Sequence, residues 1–148
     1  MFKTYTPKAD KKEDKKWYFV DADGKTLGHL ATVIAVTLRG KNKTTFAPHL
    51  DKGDYVVVTH ADKIKLTGSK ESQKEYIHHT GYLGHLRRQP IVRVRQENPT
   101  RILQEAVAGM IPRNRLKKGI LAKLFIYAGA EHPHGGQNPE PLPLSVKH

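Results

Sequence analysis

The stretch Leu38-Arg-Gly-Lys-Asn-Lys-Thr-Thr-Phe-Ala-Pro-His-Leu-Asp-Lys-Gly-Asp54, followed by Tyr55-Val-Val-Val-Thr59, decides how this chain is read. Gly40 ends an apolar-periodic helix, and Arg39, Lys41 and Lys43 cluster around it. A turn-rich loop with Pro48, His49 and Gly53 leads into a β-branched run. Cations at a helix C-terminus complement its dipole, so one of them serves as ordinary capping. Three within five residues exceed what a cap requires and are well placed to meet phosphates.

Working outward, Trp17-Tyr-Phe-Val-Asp21 reads as a strand closed by the turn Asp23-Gly24. Leu27, Leu30, Ala31, Ile34 and Leu38 then fall on one face at helical spacing. Tyr55–Thr59 is nearly continuous in apolar residues, as strands buried on both faces of a parallel sheet are. Strand, helix and strand in some forty residues predict a right-handed crossover unit. Downstream, Ile64–Thr67 alternates, Glu75–Thr80 reads as extended, and residues 81–88 read as a glycine-punctuated loop. The alternation Ile91-Val-Arg-Val-Arg95 predicts an extended segment with both arginines on one face. Asn98-Pro99 is a helix start, Ile102, Leu103, Ala106, Val107 and Met110 its buried stripe, and Pro112 its stop. Arg113–Gly119 reads as a basic loop, residues 120–124 as a short helix, and Phe125–Tyr127 as a last strand.

The fold class expected is α/β: a single domain with a small, mainly parallel central sheet, helices packed on it, and extended N- and C-terminal segments. Its parts are a basic arm (residues 1–16), a core (17–128) and a Pro/Gly-rich tail (129–148) that runs irregularly. A chain of 148 residues suffices for one core. No apolar run approaches the roughly 20 residues of a membrane span, and the start lacks an apolar signal region, so neither membrane nor secretion is expected. Cysteine is absent, which removes disulfides and thiolate zinc sites.

Charge is the strongest bulk signal. Lys+Arg number 26 against 14 Asp+Glu, a net +12, the electrostatic footprint of a nucleic-acid binder. Up to Glu75 there are 15 cations and 10 acids; from Tyr76 onward, 11 cations and 4 acids. Seven of those 11 are arginines, whose planar fork suits phosphates and bases. The second half therefore reads as a contact surface. The candidate RNA-binding side chains are Lys25, Arg39, Lys41, Lys43, His49, His78, His79, Arg87, Arg88, Arg93, Arg95, Arg113, Arg115, Lys117, Lys118 and Lys123. No RNP aromatic signature or helix-turn-helix spacing is visible, so recognition by shape and backbone is expected.

Six segments carry a resemblance: Gly24-Lys-Thr-Leu-Gly28, Leu38-Arg-Gly-Lys41, Pro48-His-Leu-Asp-Lys-Gly-Asp-Tyr55, His78-His-Thr-Gly81, Ala108-Gly-Met-Ile-Pro112 and Tyr127-Ala-Gly-Ala-Glu-His132. In order and spacing the set resembles the bacterial-type large-subunit ribosomal protein L-thirteen family, from about Trp17 to Pro133. His29 departs from it, standing where the family usually carries arginine. The resemblance implies a structural constituent of the large ribosomal subunit that binds ribosomal RNA and supports early assembly. Its implied partners are that RNA and neighbouring large-subunit proteins, in the cytoplasm or an organelle.

Other classes find less support. Asp23-Gly-Lys-Thr26 ends like a phosphate-binding loop, but the glycine required five residues before Gly24 is Phe19, inside a strand. A nucleotide-dependent enzyme therefore ranks behind a free regulatory RNA-binding protein, the nearest alternative. A small-molecule substrate is not expected. His78 and His79 would point to opposite faces of a strand, and His132-Pro-His134 lacks further ligands, so neither a metal nor any other cofactor is expected. Asp51 and Asp54 suit a loop anchor better than a catalytic pair.

Overall fold

The computed structural model describes residues 7–8 and 15–143. Most of the anticipated arm and the last five residues lie outside the described residues. The anticipated class is what the molecule shows: one α/β domain on a four-stranded parallel sheet of order β5-β2-β1-β6. Strand β1 (Trp17–Asp21) pairs residue for residue with β2 (Tyr55–Thr59), Trp17 opposite Tyr55 and Asp21 opposite Thr59. Strand β5 (Leu124–Ile126) flanks β2, with Val56 opposite Leu124. The fourth strand, β6 (Glu140–Pro141), pairs with Tyr18 and Phe19 of β1 and comes from the proline-rich tail. Two residues form it: Leu142 donates its N–H to Phe19 O while Pro141, with no N–H, sits at the sheet edge.

Helix α1 (Leu27–Arg39) lies on one face of the sheet and buries Leu27, Leu30, Ala31, Ile34 and Leu38, the stripe its 3.6-residue spacing predicts. Gly40 ends it in the left-handed region (φ 72°), its N–H and that of Lys41 returning to Thr37 O and Val36 O. Helix α4 (Pro99–Met110) packs beside α1 and buries Ile102, Leu103 and Val107. Met110, expected in that stripe, is 42% exposed. Proline takes the first helical position, but the Asn98 side chain makes no capping bond. Val20, Val56 and Val58 complete this core from the sheet side.

The other sheet face is aromatic. Register and alternation put Trp17, Phe19, Tyr55, Val57 and Phe125 there, with Trp17 stacked on Tyr55 at 4.4 Å and on Phe125 at 5.6 Å. The segment after β5 folds back over them. The His134 ring lies 4.5 Å from Phe125 and 5.2 Å from Trp17, and its Nε2 is 2.9 Å from the Tyr127 hydroxyl. This cover explains why Val57 is fully buried, as the apolar run predicted. The tail therefore forms the second layer over the sheet.

Two expectations fail between β2 and α4. Leu86–Pro90, taken within or beside a loop, forms strand β4, antiparallel to β3 (Glu75–His79), after the four-residue helix α2 (Lys70–Gln73). Ile91–Arg95 is not extended; it belongs to helix α3 (Ile91–Glu97). Its alternation is equally an i, i+3 pair, because Ile91 and Val94 are buried while Val92 is 54% exposed. Arg93 and Arg95, two positions apart on a helix, point in different directions. Arg93 reaches Glu97 one turn on at 2.6 Å, and Arg95 donates to Ile64 O at 3.0 Å and pairs with Glu71 at 3.2 Å. Helix α5 (Lys117–Leu121) likewise starts before the anticipated residue 120, because Leu116 and Ile120, one turn apart, both pack on the core.

One close approach ties these layers together. A Cβ on Gly53 would lie 1.6 Å from Leu38 O, and one on Gly40 would lie 2.6 Å from Lys52 O. The end of α1 thus touches the backbone entering β2, and Lys123 binds the contact from beneath. Its Nζ donates to Leu38 O at 3.1 Å, Gly53 O at 2.9 Å and Asp51 Oδ1 at 2.5 Å. Three acceptors match the three N–H groups of an ammonium. Burial pulls the Lys123 ammonium below its usual range, and pairing with Asp51 counters that pull. Burial would raise the Asp51 carboxyl, but hydrogen bonds and charge from Lys123 and Lys15 hold it below the ordinary value.

Lys123→Met leaves two buried carbonyls and a carboxylate short of a donor, and is expected to cost about 2–4 kcal/mol in urea unfolding. Gly53→Ala, which forces backbone apart, is expected to lower the melting temperature more than Gly119→Ala, whose Cβ meets open space. The His134 ring sets a pH dependence. Burial, then the charge of His132, lowers its pKa below the ordinary value. Folding therefore favours the neutral ring: its contribution is full above the unfolded value of about 6.5 and disappears as pH falls through the lower folded value. Melting between pH 8 and 5 should fall more steeply in the wild-type protein than in His134→Gln.

Candidate nucleic-acid interface

The parallel register builds the first cationic region. Because β1, β2 and β5 start side by side, their lead-in segments emerge at one end of the sheet. That end collects Lys15 and Lys16 before β1, Lys52 before β2 and Lys123 before β5. Helix α1 runs back to the same end, shown by the Lys123 bond to Leu38 O, and adds Arg39, Lys41 and Lys43. Helix α5, in contact with α1, brings Lys117 and Lys118 and the preceding loop with Arg113 and Arg115. Lysines from four separate sequence segments thus meet through topology.

Their roles within this region differ. Lys123 departs from the expectation of an RNA contact: it is 4% exposed and every N–H of its ammonium is occupied inside the protein. Lys43 is bound to the buried Asp54 at 2.7 Å, with its side chain one-quarter exposed. Asp54 Oδ1 also accepts the Lys16 N–H at 3.1 Å, and Asp51 Oδ2 holds Lys15 at 2.9 Å. The two carboxylates therefore anchor loops, as their turn setting suggested. The Arg39 guanidinium lies over the Phe46 ring at 5.6 Å, which holds its plane while leaving its edge open. Lys41, His49, Arg113, Arg115 and Lys118 are exposed. Arg113, Arg115, Lys117 and Lys118 make no ion pair with any described residue, so their charge faces outward uncompensated.

A second basic region lies on the β3–β4 hairpin. His78 is paired with Arg87, and Arg88 with Ile77, across the two strands. All four residues are exposed, and so is His79. Arg88 lies 3.7 Å from Glu75, while Arg87 makes no ion pair with a described residue. The hairpin is tethered by Tyr76, whose ring lies under Lys74 at 5.3 Å and Arg101 at 5.7 Å. Arg101 also donates to Gln89 at 2.9 Å and pairs with Glu105 at 2.6 Å. Burial, foremost, raises the Tyr76 hydroxyl pKa. Of the seven arginines after Tyr76, Arg95 and Arg101 are thus bonded to other parts of the fold, while the exposed Arg93 pairs with Glu97 on its own helix.

Lys25 stands apart, at the carboxyl ends of the strands, with its Nζ on Asp21 O. Asp21 there accepts from the Asp23 N–H at 3.0 Å and contacts His60 Nδ1 at 2.9 Å. The backbone bond to Asp23, aided by His60 and opposed by burial, keeps the Asp21 carboxyl below its ordinary value. His60, which sequence reasoning passed over, takes a left-handed conformation (φ 52°) to make this pair. Lys65 was passed over too. It is exposed beside Gly24, and the alternation of buried Ile64 with Lys65 held the signal. No set of three or more His, Cys, Asp or Glu side chains among the described residues is arranged to hold a metal.

Known proteins are similar to this chain over most of its length. A protein from Dichelobacter nodosus, large ribosomal subunit protein uL13, is 51% identical over 144 residues, covering 97% of this chain and all of the relative. The proteins of the same name from Halorhodospira halophila and Rubrobacter xylanophilus are 50% and 54% identical over 142 and 128 residues. They cover 96% and 86% of this chain and 99% and 90% of their own lengths. The family profile described as Ribosomal protein L13 matches residues 15–133, which span β1 through β5 and end just before His134. With its segment order, its parallel fold and these matches in agreement, the chain belongs to the ribosomal protein L13 family.

Proposed function

We propose that this protein is a structural constituent of the large ribosomal subunit, working within the ribosome, and that it binds ribosomal RNA and supports early subunit assembly. One observation carries the reading: the strands' shared starting line brings the outward-facing cations of the α1–β2 loop and of the approach to α5 around one internally paired platform. The half-buried Asp51 and the buried Asp54 take up Lys15, Lys43 and Lys123, which leaves the exposed Lys41, Arg113, Arg115 and Lys118 to neutralise phosphates. Neutralised phosphates release counterions, which lets RNA helices that repel one another approach a common surface. Arg39, Lys41, His49, Arg113, Arg115, Lys117 and Lys118 form one contact region, and His78, His79, Arg87 and Arg88 a second. Two regions on one rigid body suit a protein that holds separate RNA segments together. Neighbouring large-subunit proteins are its further partners, and it catalyses no reaction.

Arg113, Arg115, Lys117 and Lys118 make no internal ion pairs with described residues, so changing all four to Ala should leave the melting temperature nearly unchanged. Binding to a ribosomal RNA fragment should weaken and lose part of its salt dependence. With six to ten phosphates met, wild-type affinity should fall roughly 10³- to 10⁵-fold between 50 and 200 mM salt. Filter binding across that range checks both statements, and unaltered affinity in the quadruple variant removes this loop from the interface. Co-sedimentation with large subunits at moderate salt tests the cellular assignment.

A further inference from the structure

The β3–β4 hairpin carries exposed apolar side chains that charge neutralisation does not use. Residues opposite one another on paired strands share a face, so Tyr76 goes with Gln89 and His78 with Arg87. Tyr76 turns that face toward the core. Ile77, His79, Leu86 and Arg88 occupy the other face, where Ile77 is 60% and Leu86 48% exposed. Beyond the strands, Tyr82 is 74% exposed and Leu83 wholly exposed.

The tip holds these side chains out by its own bonding. Gly81 (φ 93°) and Gly84 (φ 75°) take left-handed conformations on either side of Tyr82 and Leu83. The Gly81 N–H donates to His79 Nδ1 at 3.0 Å, and the His85 N–H donates to Tyr82 O at 3.2 Å. His85 Nδ1 is 3.0 Å from Leu83 O, and its ring meets Tyr82 edge-on at 6.0 Å. The turn's backbone is thus bonded within itself, and its apolar side chains project outward.

The chemistry around this tip selects one occupant. Between Tyr76 and Gln96 there is no Asp or Glu, so the partner is anionic. Most of the exposed side chains present flat groups: the Tyr82 phenol, the imidazoles of His78, His79 and His85, and the guanidinium groups of Arg87 and Arg88. A polyanion with flat apolar faces fits such a set, and paired RNA hides those faces within its own stack. We propose that the hairpin tip is a binding site for unpaired RNA nucleotides, with Tyr82 and Leu83 taking base faces and Arg87 and Arg88, one on each face of the hairpin, the phosphates to either side. This rests on the RNA-binding reading above and adds to it the structural class of RNA taken at this site.

The test compares a short oligoadenylate with a blunt RNA duplex of equal length, by fluorescence anisotropy on the full chain at two salt concentrations. Tyr82→Ala and Leu83→Ser alter exposed positions, and unchanged melting confirms that each variant folds. Tyr82→Ala should bind the oligoadenylate roughly 5- to 100-fold more weakly. Its duplex affinity and its salt slope should stay as in the wild type, and Tyr82→Phe should restore single-strand binding. If both tip variants bind oligoadenylate as the wild-type protein does, the proposal is overturned and the tip is left to a protein neighbour. If the wild-type protein binds the duplex alone, only the tip assignment falls. If it binds neither RNA, the wider reading falls with it.

Discussion

The buried ammonium of Lys123 is the contact on which the rest of the molecule turns. It joins the last carbonyl region of α1, the backbone entering β2 and the side chain of Asp51. Helix carbonyls at a C-terminus have no partners of their own, so a buried helix end needs a donor brought from elsewhere. Lys123 supplies it from the residue immediately before β5. The same bond therefore fixes helix against sheet and sets where β5 begins beside β2. Gly40 and Gly53 make this possible by letting two backbone segments touch where any side chain would hold them apart.

That knot has an electrostatic consequence. Asp51 and Asp54 sit among Lys15, Lys43 and Lys123 and hold them in the body of the protein. Breaking a pair of this kind leaves a charge without compensation, so its members are committed to the fold. Lys41 on the α1–β2 loop and Arg113, Arg115 and Lys118 on the approach to α5 have no such commitment to a described residue. A net charge of +12 is thus divided between structure and surface. It is the surface share that bears on an RNA partner, because exposed charges attract a polyanion without first losing an internal bond.

The hairpin follows a different logic. It shares no hydrogen bonds with the main sheet's strands and is fastened chiefly through Tyr76, Gln89 and Arg101. The arginine that stacks on Tyr76 is drawn from the contact surface to do so. The hairpin pairs this anchored inner side with an outer side of histidines, arginines and apolar groups. The aromatic face of the sheet solves its exposure in the opposite way, folding the tail over Trp17 and Phe125 with His134 as the covering ring. One set of rings is partly covered by the chain itself. The other is presented to solvent.

Local pattern alone specified much of this. The apolar run Tyr55–Thr59, the spacing from Leu27 to Leu38 and the glycine after Arg39 determine β2, α1 and its end, because each depends on neighbours within a turn or a strand. The basic balance and the six ordered segments likewise pointed to a ribosomal RNA partner before any coordinates. Four features required the tertiary structure. Ile91–Arg95 alternates and yet is helical, since two buried residues three apart satisfy either period until α4 supplies the surface they cover. The tail becomes a layer and an edge strand only because β1 offers a free side. Arg95 reads as surface until Ile64 O and Glu71 come within reach. Lys123 reads as one more cation until the ends of α1 and the β2 lead-in close around it. In each case the deciding partner lies far along the chain, and a charge or a periodicity carries no record of what the folded chain will set beside it.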